Sequence, residues 1–154
     1  MDIKDEYARL RKKFKTLPSF DALDTEFEIS MIENHPTFLL REIRKKMTER
    51  IEFFAKVLEE LLQPEATMAN LRESKDFTDK EKQEMFELYK KLMMMNRTSM
   101  EFALTGSDKD NVAFIIDVTK EWDKAKKQLL IATRKMKHSW TKNLHFEEEQ
   151  SYFG

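Results

Sequence analysis

The sequence predicts an all-α fold, an antiparallel helical bundle, and three observations carry that expectation. Apolar residues recur at spacings of three and four along most of the chain. Glycine occurs twice and proline three times in 154 residues, too seldom for the many tight turns of a sandwich, barrel or propeller. Helix start and stop signals stand where the apolar stripes begin and end. The length is that of one domain, long enough to bury a core without staples. No cysteine is present, which excludes a disulfide scaffold, a thiolate zinc site, a cysteine nucleophile and an iron–sulfur cluster.

Ile3, Tyr7, Leu10, Phe14 and Leu17 make the first stripe, closed by Pro18. Lys4, Arg9, Arg11, Lys12, Lys13 and Lys15 cover its other faces. Ser19 caps a second short helix with the stripe Phe20, Leu23, Phe27 and Met31. Its outer face is acidic, with Asp21, Asp24, Glu26, Glu28 and Glu33. Asn34, His35 and Pro36 then break the chain, and Pro36 suits the first position of a new helix.

Three long helices follow, over about 36–62, 79–105 and 108–143. The first carries Leu40, Ile43, Met47, Ile51, Phe54, Leu58 and Leu61 on one stripe and stops at Pro64. A short helical turn is expected between Glu65 and Ser74. Thr78 and Glu81 form a capping box that opens the second long helix, and Gly106 is its left-handed stop. Leu88 to Met95 reads as apolar nearly all round, which predicts a helix surrounded by neighbours and Met93–Met95 chiefly as core filler, with one or two methionines reaching the surface.

Ser107 caps the last helix. Ile115, Trp122, Leu129 and Met136 recur every seventh residue, and Val118, Ala125, Ala132 and Ser139 recur beside them. Large residues on one line and small ones on the next predict a seam against which another helix packs closely. Residues 1–143 are thus expected as a single bundle domain, and 144–154, without a helical stripe, as a flexible tail.

No catalytic, cofactor-binding or metal-binding residue emerges. His35, His138 and His145 are preceded at three residues by Ile32, Lys135 and Lys142, so the Glu-x-x-His pattern of bundle metal sites is absent. Two glycines cannot build a phosphate-cradling glycine loop, and neither a metalloprotease nor a nucleophile-elbow motif occurs. The expectation is a protein that is not an enzyme and carries no cofactor. The first residues mix both signs of charge without an apolar core, unlike a secretory signal. Apolar runs reach only four residues, against the roughly 20 of a membrane span. A cytoplasmic location follows as the expectation.

The most informative stretch is 124–146, which contains no Asp or Glu although acids outnumber bases in the whole chain. On a helical wheel Trp122, Leu129, Met136 and Trp140 fall on one side. Lys124, Lys127, Arg134, Lys135, His138 and Lys142 fall opposite, with Ile131 among them. Cations near a helix C-terminus favour the helix dipole, which would explain them as a solvated face. The stripe would equally meet an acidic surface, in a partner or on the protein's own second helix at Asp21, Asp24 and Glu28. The expected function is a non-catalytic interaction module, a small adaptor or subunit of a larger assembly. Its partner-binding residues are Lys124, Lys127, Ile131, Arg134, Lys135, His138 and Lys142, and its partner a protein with an acidic surface. The alternative is a nucleic-acid- or ribosome-associated helical protein using the same stripe. Against it stand an isoelectric point near 6.3 and the lack of any recognition-helix signature. The oligomeric state is left open.

Overall fold

The computed structural model describes residues 2–33, 38–65 and 67–142. The elements are α1 (Ile3–Lys13), α2 (Phe20–Phe27), a 3-10 turn (Ile29–Met31), α3 (Leu39–Leu62), α4 (Met68–Ser74), α5 (Asp79–Thr105) and α6 (Asp108–Ser139). There is no strand among the described residues, and α3, α5 and α6 pack against each other as a helical bundle. Contacts group into two compact units. The first is residues 1–52 and 93–123, the second 53–92 and 124–154. The expected tail, 144–154, lies outside the described residues, as do His35, Pro36 and His145.

In the first unit the Asp2 carboxylate accepts the Asp5 amide at 2.8 Å and starts α1. Asp5 and Glu6 in the first turn and Arg11, Lys12 and Lys13 in the last both suit the helix dipole. The helix stops at Lys13, short of its stripe, but the chain folds back so that Leu17 is still buried. The Tyr7 hydroxyl fixes this return by donating to the Pro18 carbonyl at 2.5 Å. Burial pushes that hydroxyl's pKa up to about 12, against a smaller lowering by the Arg11 charge.

The second helix departs from expectation. Ser19 caps it through the Ala22 amide at 3.1 Å, as its sequence position predicts. It ends at Phe27, however, because Glu28 adopts a left-handed conformation with φ 55°. The Asp24 carboxylate holds the exit by accepting the Ser30 amide at 2.8 Å. A non-glycine residue there costs about 1–2 kcal/mol. The change of direction buries Ile29 and turns Met31 outward to 71% exposure, so Met31 leaves the expected stripe.

Leu40, Ile43, Met47 and Ile51 of α3 and Ile115, Val118 and Trp122 of α6 are all buried in the core of this unit. Trp122 stacks at a tilt on Phe27, with ring centroids 5.3 Å apart. Its indole N–H donates to the Glu26 carboxylate at 3.0 Å, which satisfies a polar atom that burial would otherwise strand.

In the second unit Leu58 and Leu61 of α3, Phe77, Met85, Leu88 and Leu92 form the core with Ala125, Leu129 and Ala132 of α6. Thr67 caps α4 through the Asn70 amide at 3.2 Å. The capping box of α5 forms reciprocally: Thr78 donates its amide to Glu81 at 3.0 Å, and Glu81 donates its amide to the Thr78 hydroxyl at 3.1 Å. The α6 seam is buried along Val118, Ala125, Ala132 and Ser139, while Met136 is half-buried. The helix ends at Ser139 rather than near 143, closed by a turn in which Trp140 and Thr141 donate their amides to Lys137 and His138.

The expectation for Leu88–Met95 needs correction. Leu88 and Leu92 are buried, but Met93 and Met95 are half-buried and Met94 is 69% exposed. The helix buries one face and is not surrounded; Met94 is the methionine of the three that reaches the surface, and Met93 and Met95 border the buried face. Unbranched methionine tolerates such a half-wet position better than a β-branched residue would.

Candidate functional site

The basic stretch of α6 divides into two lines. Lys135 and Lys142 lie one heptad apart, beside the small seam residues Ala132 and Ser139. That places them at the edge of the buried face, within reach of the segment joining α4 to α5. Asp76 there receives the Ser139 hydroxyl at 2.5 Å and the Lys142 ammonium at 2.9 Å, with Arg72 at 3.5 Å. Burial alone would raise the Asp76 carboxyl's pKa. Hydrogen bonds from Ser139 and Lys142 and the charges of Arg72 and Lys142 outweigh it and hold the carboxyl below its ordinary range.

Lys135 donates to both Glu81 oxygens and sits 5.2 Å from the centre of the Phe77 ring. Glu81 therefore does two things at once, closing the α5 cap and binding α6. Its pKa falls to about 2, first through the Lys135 hydrogen bond and then through the Thr78 bonds. The internal acceptors of the stripe are thus Asp76 and Glu81. Of the second-helix acids that stood as one alternative for such an internal partner, Asp24 accepts the Ser30 amide instead.

The second line faces outward. Lys124, Lys127, Ile131, Arg134 and His138 are all exposed, at helical spacings that keep them on one face. Ile131 is 66% exposed and its neighbour Leu130 44%. Lys127 and Arg134 each stand three residues from one of these apolar side chains and four from the other. The four make a diamond on successive turns, an apolar pair between two cations. His138 belongs to the end of this line, its ring 3.3 Å from the Thr141 hydroxyl. Of the seven residues expected to bind a partner, the structure sets five on this outer face and gives Lys135 and Lys142 structural partners.

A second polar constellation lies in the first unit and escaped the reading of the sequence. Arg44 is 3% exposed and donates to the Asn111 side-chain oxygen at 2.7 Å. It also donates to the Ser99 carbonyl at 2.9 Å and the Ser99 hydroxyl at 2.7 Å. Thr48 completes the set with a 2.7 Å bond between its hydroxyl and that of Ser99. Burial lowers the Arg44 pKa, and the neighbouring Arg41 charge lowers it further, against Glu42. The signal was present in the spacing. Arg44 stands four residues after Leu40 and three before Met47, Ser99 seven after Leu92, and Asn111 four before Ile115. Each polar residue occupies a position on an apolar stripe. Arg44, Ser99 and Asn111 are all buried, so the cluster ties α3, α5 and α6 together and offers no opening to a ligand.

Among the described residues no group of three or more His, Asp or Glu side chains could hold a metal ion. No helix there is long and apolar enough to cross a membrane. Comparison of the chain with protein-family models, curated proteins and solved structures finds no match.

Proposed function

We propose that the protein is a non-catalytic interaction module, a small adaptor or subunit of a larger assembly. It binds an acidic protein surface through the outer face of α6, with Lys124, Lys127, Ile131, Arg134 and His138 as the contact residues. The observation that carries this reading is the Lys127–Leu130–Ile131–Arg134 diamond. A face kept only for solvent gains nothing from two adjacent exposed aliphatic side chains inside a run without any acid. An interface uses both parts: the apolar pair supplies desolvated contact, and the cations select and steer an acidic partner. Arginine is also among the residues that most often anchor interfaces. A cytoplasmic setting goes with this reading, supported by the cysteine-free composition.

The test compares proteins retained by the immobilised chain with those retained by an Ile131→Asp/Arg134→Glu variant. Each captured protein is then purified and its affinity for both forms measured directly at two salt concentrations. The expected result is an acidic protein bound at least about tenfold more weakly by the variant, most clearly at low salt. Equal affinity for both forms would overturn the reading. Retention of nucleic acid instead, with a steep salt dependence lost in the variant, would assign the face to a phosphate backbone.

A further inference from the structure

We infer that the cleft between α1 and α2 binds a compound carrying two or more adjacent phosphoryl groups. The cleft lies wholly in the first unit, whereas the residues assigned to the protein partner belong to the second, and it has a volume of about 570 Å³. Sites for small ligands fall at about 300–1,000 Å³. Lys4, Arg11, Lys12 and Lys15 line it, against the single carboxylate of Asp21. None of these four cations forms an ion pair among the described residues, in contrast to Lys135 and Lys142. Four unneutralised cations around one concavity repel one another and gain most from a compact anion of high charge.

The details of the lining fit phosphoryl oxygens. Arg11 donates its Nε to the Leu17 carbonyl at 3.2 Å, which orients the guanidinium and leaves its Nη groups without an acceptor among the described residues. A positioned guanidinium edge binds phosphate in two-pronged fashion, and lysines add point charges around it. The start of α2 also borders the cleft through Ser19 and Phe20. The Ser19 hydroxyl takes the Ala22 amide, while the Phe20 and Asp21 amides meet no acceptor among the described residues. Such amides carry the positive end of the helix dipole. The floor is aromatic: Tyr7 and Phe20 stack at a tilt, centroids 5.9 Å apart, and Tyr7 is locked by its bond to Pro18. The rest of the ligand, ring or chain, lies against that floor. Both a soluble polyphosphate ester and a phosphorylated lipid headgroup present this chemistry.

The full chain is titrated calorimetrically with inorganic pyrophosphate. It is also sedimented with phosphatidylcholine vesicles that contain or lack a phosphatidylinositol bisphosphate. Saturable pyrophosphate binding is expected, weakened about tenfold or more in a Lys12→Gln/Lys15→Gln variant. Both lysines are exposed, so circular dichroism and melting temperature should not change. Asp21→Asn removes the one opposing charge and should tighten binding about threefold. Arg134→Glu should leave it unchanged, which separates this site from the partner-binding face. Vesicle binding that pyrophosphate displaces would identify the source as a lipid. Pyrophosphate binding without vesicle binding would identify a soluble ligand. Absence of both, or an affinity that Lys12→Gln/Lys15→Gln does not alter, would overturn the proposal.

Discussion

The two units meet positive charge with different acceptors. The first buries a guanidinium, Arg44, among the neutral acceptors Asn111 and Ser99. The second meets its cations with carboxylates: Asp76 takes the equally buried Arg72 and the edge residue Lys142, and Glu81 takes Lys135. The difference lies in the acceptors, neutral in the first unit and charged in the second, and access to water sets what each contact is worth. A buried cation cannot be left bare, so every donor given to a buried oxygen matters. A pair at the edge is screened and partly hydrated, so it fixes geometry more than it adds stability. The large lowering of the Glu81 pKa thus overstates its share of the folding free energy, since the side chains of Glu81 and Lys135 are each about one-third exposed.

The largest effects should come from the first unit. Trp122→Ala removes a buried indole from Phe27 and Glu26 and should cost about 3–5 kcal/mol in chemical denaturation. Trp122→Phe should cost much less, because only the Glu26 hydrogen bond and part of the ring are lost. Arg44→Ala strands the Asn111 and Ser99 acceptors and opens a cavity, at a cost of about 3 kcal/mol. Arg44→Lys should recover little of that, since an ammonium cannot reach both acceptors with the same fork. If Arg44→Ala were as mild as an exposed substitution, the contrast between the units would fail.

Much of this was legible in the sequence. The large and small lines of α6, the capping box at Thr78 and the caps at Ser19 and Ser107 all form where their spacing puts them. These are local or periodic features, set by residues within a turn or two of each other. The left-handed Glu28 was not legible, because no glycine marks it and a carboxylate four residues earlier holds it. The Arg44 cluster was not read because its partners lie 55 and 67 residues away. The stripe of α6 appeared uniform for the same reason. Only the fold shows that Asp76 and Glu81 flank one of its edges.

Intermediate effects belong to the second unit. Ala132→Leu should overpack the seam and destabilise by about 1–3 kcal/mol. The Glu81 pair can be tested through pH. Its carboxyl has a folded pKa of about 2 against an ordinary 4.5, so its contribution is complete above about 4.5 and is lost as the pH falls towards about 2. Asp76, also lowered, should add to the same acid loss. Glu81→Gln should flatten stability across that window, read from melting temperatures at a series of pH values. Given the exposure of the pair, the change should be about 1 kcal/mol or less.

The smallest expected effect on stability sharpens the division of the stripe. Lys135→Glu places two carboxylates together beside the α5 cap and should destabilise by about 1 kcal/mol. Arg134→Glu, one residue earlier on the outer face, should stay within about 0.5 kcal/mol of the parent. Equal melting temperatures for these two variants would mean that the Glu81 contact does not order the stripe.

The central claim is that the outer face of α6 meets a protein partner, and cross-linking at Ile131 in living cells tests it most directly. A photoreactive benzoylphenylalanine replaces Ile131 in one sample and the exposed Glu84 of α5 in another. Illumination should link the Ile131 position to a discrete acidic protein, and added Arg134→Glu should reduce that product. The Glu84 position should give none of it. No discrete product at Ile131, or the same products at both positions, would contradict the account.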